Sequence, residues 1–262
     1  MSDQPIGIFD SGVGGLTIYE EIHQLLPNEN IIYLADSKNA PYGEKSKQEI
    51  VDISVKNTEF LLSKGAKLIV VACNTASTNA VKHLRNTYDV PFIRVQPAIK
   101  PAAERTRSNT VGILATKGTL ESELLFETSQ RFASGVRVIS KVGEGLVSGI
   151  ERGEIDDPRL YELLRSYLEP MVAEGIDHLV LGCTHYPLLR SKIEEIVGKE
   201  VSVIDSGEAI ARQTKVILTQ ENLLNHSNSD PVRYFYTNKN RAVLQSILDL
   251  LPDNLSAEKI DF

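Results

Sequence analysis

The chain has 262 residues, 42% of them hydrophobic and 24% charged, enough apolar material to bury a sizeable core. Its net charge of −7 disfavours nucleic acid as the main partner, because phosphate binding needs concentrated Lys and Arg. No apolar run approaches the roughly 20 residues that cross a bilayer, and the N-terminus MSDQPIGIFDSG lacks the basic-then-apolar order of a secretory signal.

These features make a cytoplasmic location the expectation, with no membrane partner. The two cysteines, Cys73 and Cys183, are then expected as free thiols rather than a disulfide.

Short apolar runs alternate with longer stretches of helical spacing, which predicts parallel α/β units. Strands are expected at 6–9, 31–35, 68–72, 92–95, 111–114, 136–140, 179–181 and 201–204. Helices are expected between them, among others at 48–64, 160–174 and 191–197. Apolar residues at 160, 163, 164, 167 and 168 have the helical period. The unbroken run LIVVA at 68–72 suits a strand covered on both faces. Near the C-terminus, VRYFYT at 232–237 reads as a strand and 241–251 as a helix.

A second pattern overlies the first. PIGIFDSGVGGL at 5–16 is echoed by TVGILATKGTL at 110–120, and ACNTAS at 72–77 is echoed at a similar separation by GCTHYP at 182–187. The agreement of two elements in order predicts an internal duplication. The expected architecture is α/β, with two similar lobes, each a mostly parallel sheet flanked by helices. A pseudo-twofold axis would relate them, with the site in the cleft between. The first lobe is expected to comprise 1–97 plus 208–262, the second 98–207, with a crossing near Pro97–Lys100.

In open parallel sheets, ligands gather beyond the carboxyl ends of the strands. Both cysteines stand there, each followed by polar residues that open helices: Asn74 and Thr75, then Thr184 and His185. Free N–H groups at such a start attract anions and are expected to lower a thiol pKa from about 8.5. A metal site is disfavoured, because neither cysteine has a partner at C-x₂-C spacing. A hydrolase would need one nucleophilic thiol. Two thiols on opposite walls can instead remove a proton from one face of a carbon and return one to the other, inverting a stereocentre. The glycine-rich DSGVGG at 10–15 has neither the G-K-S/T ending of a P-loop nor the G-x-G-x-x-G of a dinucleotide site.

Together DSGVGG at 10–15, PYG at 41–43, ACNTAS at 72–77 and GCTHYP at 182–187 resemble the glutamate racemases of the aspartate/glutamate racemase superfamily. The resemblance runs from residue 5 to about 210. It implies racemisation of glutamate by a two-base 1,1-proton transfer without metal or cofactor, supplying D-glutamate for peptidoglycan, in a homodimer. By the same resemblance Cys73 is the base for the D-enantiomer and Cys183 for the L-enantiomer. Asp10 is similar to the carboxylate assisting Cys73, and His185 to the group assisting Cys183. Glu151, in GLVSGIERG, resembles a further acid near the second thiol. The pairs Asp10–Ser11, Tyr42–Gly43, Asn74–Thr75 and Thr184–His185 match the family's substrate contacts, with Thr116 and Thr119 as further pocket residues.

The duplicated frame has Asp10 where the second lobe has Ala115, so the two walls are expected to differ chemically. Asp36 and Ser37 read as a strand-ending turn. Two other readings stand beside the first: an aspartate racemase of the same superfamily, and a two-lobed protein that merely closes on an acidic ligand. Superfamily members acting on aspartate commonly carry an acid after the second Cys-Thr, where this chain has His185.

Overall fold

β1 (Ile6–Asp10), β2 (Ile31–Ala35) and β3 (Leu68–Val71) are buried at every residue, as strands covered on both faces must be. The computed structural model describes residues 2–227 and 229–262. Further along the chain come β4 (Phe92–Arg94), β5 (Thr110–Ala115), β6 (Arg137–Val142), β7 (His178–Gly182) and β8 (Ser202–Ile204). β9 (Arg233–Thr237) and β10 (Ala257–Lys259) follow. They form two sheets, ordered β10-β9-β2-β1-β3-β4 and β6-β5-β7-β8, in which every pairing is parallel.

The order β6-β5-β7-β8 repeats β2-β1-β3-β4, so the echo between β1 and β5 and between β3 and β7 has a structural counterpart. Register carries it further. Phe9 pairs with Val71, which sets Asp10 beside the chain that leads into Cys73. In the second sheet Ala115 pairs with Gly182, which sets Thr116 beside Cys183.

The helices form where local chemistry starts and stops them. Ser46 caps the helix Lys47–Ser63 through a reciprocal box with Glu49. The helix Pro158–Ala173 begins two residues earlier than its apolar spacing suggests. Asp157 accepts the Arg159 N–H at 2.8 Å, and Pro158 is preset for a first turn. It ends before Gly175, whose φ of +81° turns the chain out of the helix.

One apolar cluster contains Ile8 and Val70 from the first sheet together with Leu179 and Leu181 from the second. Each such side chain contributes roughly 1.5–3 kcal/mol by burial. The lobes therefore share part of their core. No helix among the described residues is long and apolar enough to cross a membrane.

At the amino ends of the strands, far along the sheet from the cysteines, Lys67 lies 2.6 Å from Glu29, both side chains 2% exposed. The other Glu29 oxygen accepts the Asn225 N–H at 2.8 Å, tying down the segment that returns from the second sheet to the first. Lys67→Met should cost about 3–5 kcal/mol in denaturant unfolding, because Glu29 is left buried without its cation. Replacing both residues by apolar ones should cost clearly less.

Candidate active site

Cys73 follows β3 as the N-cap of the helix Asn74–Asn79, and Cys183 follows β7 just before the turn Tyr186–Leu189. Both line one cavity. Its wall from the first sheet carries Ser11, Tyr42, Gly43, Asn74 and Thr75; its wall from the second carries Thr116, Thr184 and His185. Sequence reasoning missed Pro41 and Val147, which also line it. Pro41 was within sight, in the PYG motif, whereas an apolar Val147 carries no signal of its own.

Asp10, Glu151 and Thr119 do not line the cavity but stand behind residues that do. Thr119 is fully buried and lies 3.0 Å from the Thr116 hydroxyl, which lies 3.1 Å from that of Thr75 on the opposite wall. This chain of hydroxyls joins the walls. The enclosed volume is about 10 Å³, room for about one water.

The two thiols have different surroundings. Burial pushes the Cys73 thiol up to about 12, and the nearby Asp10 carboxylate adds to the rise. The Ala76 N–H and the Ser11 hydroxyl pull the other way and only partly offset it. The expectation that a helix start would lower this thiol is therefore overturned, because desolvation of the thiolate outweighs a few aligned donors. Cys183 instead has its sulfur 3.9 Å from His185 Nδ1.

His185 is the hub. Its Nε2 lies 2.7 Å from Glu151 Oε1, and its Nδ1 lies 3.9 Å from Asp10 Oδ2. Burial would lower the imidazole, but contact with Cys183 and the hydrogen bond to Glu151 raise it well above 6.5. Burial would likewise raise Glu151. His185, the Ser37 hydroxyl and the Val13 N–H (2.7 Å from Oε1) outweigh that and lower it. Both shifts favour an imidazolium–carboxylate pair. Asp10 is raised by burial and by Glu151, with His185 opposing; it accepts the Gly12 N–H and the Thr184 hydroxyl, each at 3.1 Å.

The glycine-rich loop makes room for this pair. A Cβ on Gly12 would stand 1.8 Å from Glu151 Oε1, and one on Gly14 would stand 2.3 Å from His185 Nδ1. Any larger residue at either position would evict a side chain of the second lobe from its seat in the first. Among the described residues no group of three or more His, Cys, Asp or Glu is arranged to hold a metal ion.

Residues 6–214 match the family described as Asp/Glu/hydantoin racemase. A glutamate racemase of Ectopseudomonas mendocina (strain ymp) is 48% identical over 251 residues, covering 95% of each chain. The crystal structure of a glutamate racemase isoform of Bacillus anthracis matches with a TM-score of 0.87 and 32% identity, covering 100% of this chain and 98% of that one. The Escherichia coli glutamate racemase, solved with L-glutamate and the activator UDP-MurNAc-Ala, also gives 0.87, with 34% identity and 98% of both chains covered.

The Glu151–His185 pair predicts a pH-dependent stability. The lowered Glu151 contributes fully above its unfolded value of 4.5 and is lost as pH falls through its folded value. The raised His185 contributes fully below 6.5 and is lost as pH rises through its folded value. Glu151→Gln should therefore lose most stability, relative to the parent chain, between those two pH values. In urea unfolding the gap should close in acid; a gap independent of pH would contradict the pair.

Proposed function

The chain belongs to the Asp/Glu/hydantoin racemase family and is an amino-acid isomerase, and from that premise we propose that it interconverts L- and D-glutamate by proton transfer between two thiols. The observation that carries the reading is that Cys73 and Cys183, each at the end of a strand in a different sheet, line the same small cavity. Glutamate is the substrate named for the relatives and for the solved structures of highest coverage.

In the proposed reaction Cys183, in contact with His185, is the base that removes the α-proton of L-glutamate. Cys73, whose high affinity for its proton keeps it a thiol, delivers a proton to the opposite face. The reverse reaction exchanges these roles. Asp10 beside Cys73 is then the group that receives or repels charge as that thiol is spent, and the Glu151–His185 pair does the same for Cys183. The α-proton is a very weak acid, so the developing carbanion needs donors already aimed at the substrate carboxylate. Asn74, Thr75 and Thr184, with the N–H groups that open the helix after Cys73, supply them.

Neither step requires a cofactor, since the thiols are acid and base in turn. The proposal extends to a cytoplasmic enzyme that supplies D-glutamate for peptidoglycan and works as a homodimer, on the strength of the family resemblance. An aspartate racemase is the competing assignment. His185 after the second Cys-Thr and the names of the relatives support glutamate.

Cys73→Ala and Cys183→Ala should each lower racemisation by about 10³-fold or more without unfolding the chain. In heavy water, the parent chain should exchange the α-proton of glutamate faster than that of aspartate. Full activity in either variant would refute the paired bases, and preferential labelling of aspartate would reassign the substrate.

A further inference from the structure

The loop after β2 carries Pro41, Tyr42 and Gly43 to the cavity. Its first residue, Asp36, is fully buried, and its carboxylate is surrounded by donors. Tyr42 donates its hydroxyl to Asp36. Asn39 donates to both carboxylate oxygens, at 2.9 and 3.1 Å. Asn57, from the helix Lys47–Ser63, lies 3.4 Å from Asp36 and donates at 2.9 Å to the Tyr42 oxygen. Asn238, just beyond β9, donates at 2.5 Å and accepts the Lys38 N–H at 2.9 Å.

A strand-ending turn needs none of this, since a solvated Asp would cap it. Here one carboxylate fixes the direction of the Tyr42 ring and the path of the backbone behind it. The Tyr42 hydroxyl both donates and accepts within the network. Only its ring and the backbone of Tyr42–Gly43 are left to face a substrate. The next residue, Ser37, stabilises the Glu151 carboxylate. The loop therefore touches both the substrate wall and the partner of His185.

We propose that Asp36, together with Asn57 and Asn238, is a positioning set for the wall Pro41–Gly43, and that the segment beyond residue 214 completes the site through Asn238. The inference rests on the racemase reading and adds residues to it that touch neither thiol. A misplaced wall weakens substrate binding while leaving the two bases in place.

The test is steady-state kinetics in both directions on Tyr42→Phe, Asp36→Asn and Asn238→Ala. Each should raise KM for L- and D-glutamate about tenfold or more and leave kcat within about threefold. The double variant Asp36→Asn/Tyr42→Phe should be no worse than its weaker-binding parent, because both changes break one contact. Loss of folded protein alone would lower kcat and leave KM unchanged, so the split separates positioning from stability. If Asp36→Asn does not fold, Tyr42→Phe, which removes a single oxygen, and Asn238→Ala decide. Variants that keep the parental KM, in a parent chain that exchanges the α-proton of glutamate, overturn the positioning set and leave the racemase reading standing.

Discussion

Two side chains of the second lobe, Glu151 and His185, are seated in a glycine-rich loop of the first, and the cavity depends on that seat. The fit is steric before it is electrostatic. Gly12 and Gly14 have no side chain because a carboxylate and an imidazole occupy that space. Once seated, the pair sits with the His185 ring against Cys183 and within 3.9 Å of Asp10, whose other oxygen accepts the Thr184 hydroxyl. Charged groups this deeply buried are tolerated only when paired and hydrogen-bonded, which ties the closeness of the lobes to the integrity of the site.

The duplicated frame explains why both thiols line one cavity; its departures explain why their surroundings differ. Corresponding strands lead into Cys73 and Cys183, but Asp10 stands on β1 where β5 has Ala115. A carboxylate beside one thiol and an imidazole beside the other create opposite electrostatic surroundings. In each direction of a two-base reaction one thiol must hold its proton while the other is free to take one, and these states exchange on reversal.

Much of the fold was legible because parallel strands buried on both faces are short, apolar and bounded by polar residues. β3 and β7 announce themselves this way, and their cysteines interrupt the apolar run where a sheet exposes its ligand-binding end. β10 was illegible: Ala257–Lys259 is a three-residue edge strand with no apolar alternation. The roles of Glu151, Asp36 and Thr119 were harder still. Glu151 acts through a histidine 34 residues away, and Asp36 through asparagines 21 and 202 residues away. The state of Cys73 was misjudged for a related reason, because helix starts are visible in a sequence and the depth of burial around them is not.

The most direct test of the account is a crystal structure of the chain with glutamate bound. The α-carbon should lie between the two sulfur atoms, with Cys73 and Cys183 on opposite faces and His185 still against Glu151. A ligand that meets only one sulfur, or both from the same side, would contradict inversion by paired thiols.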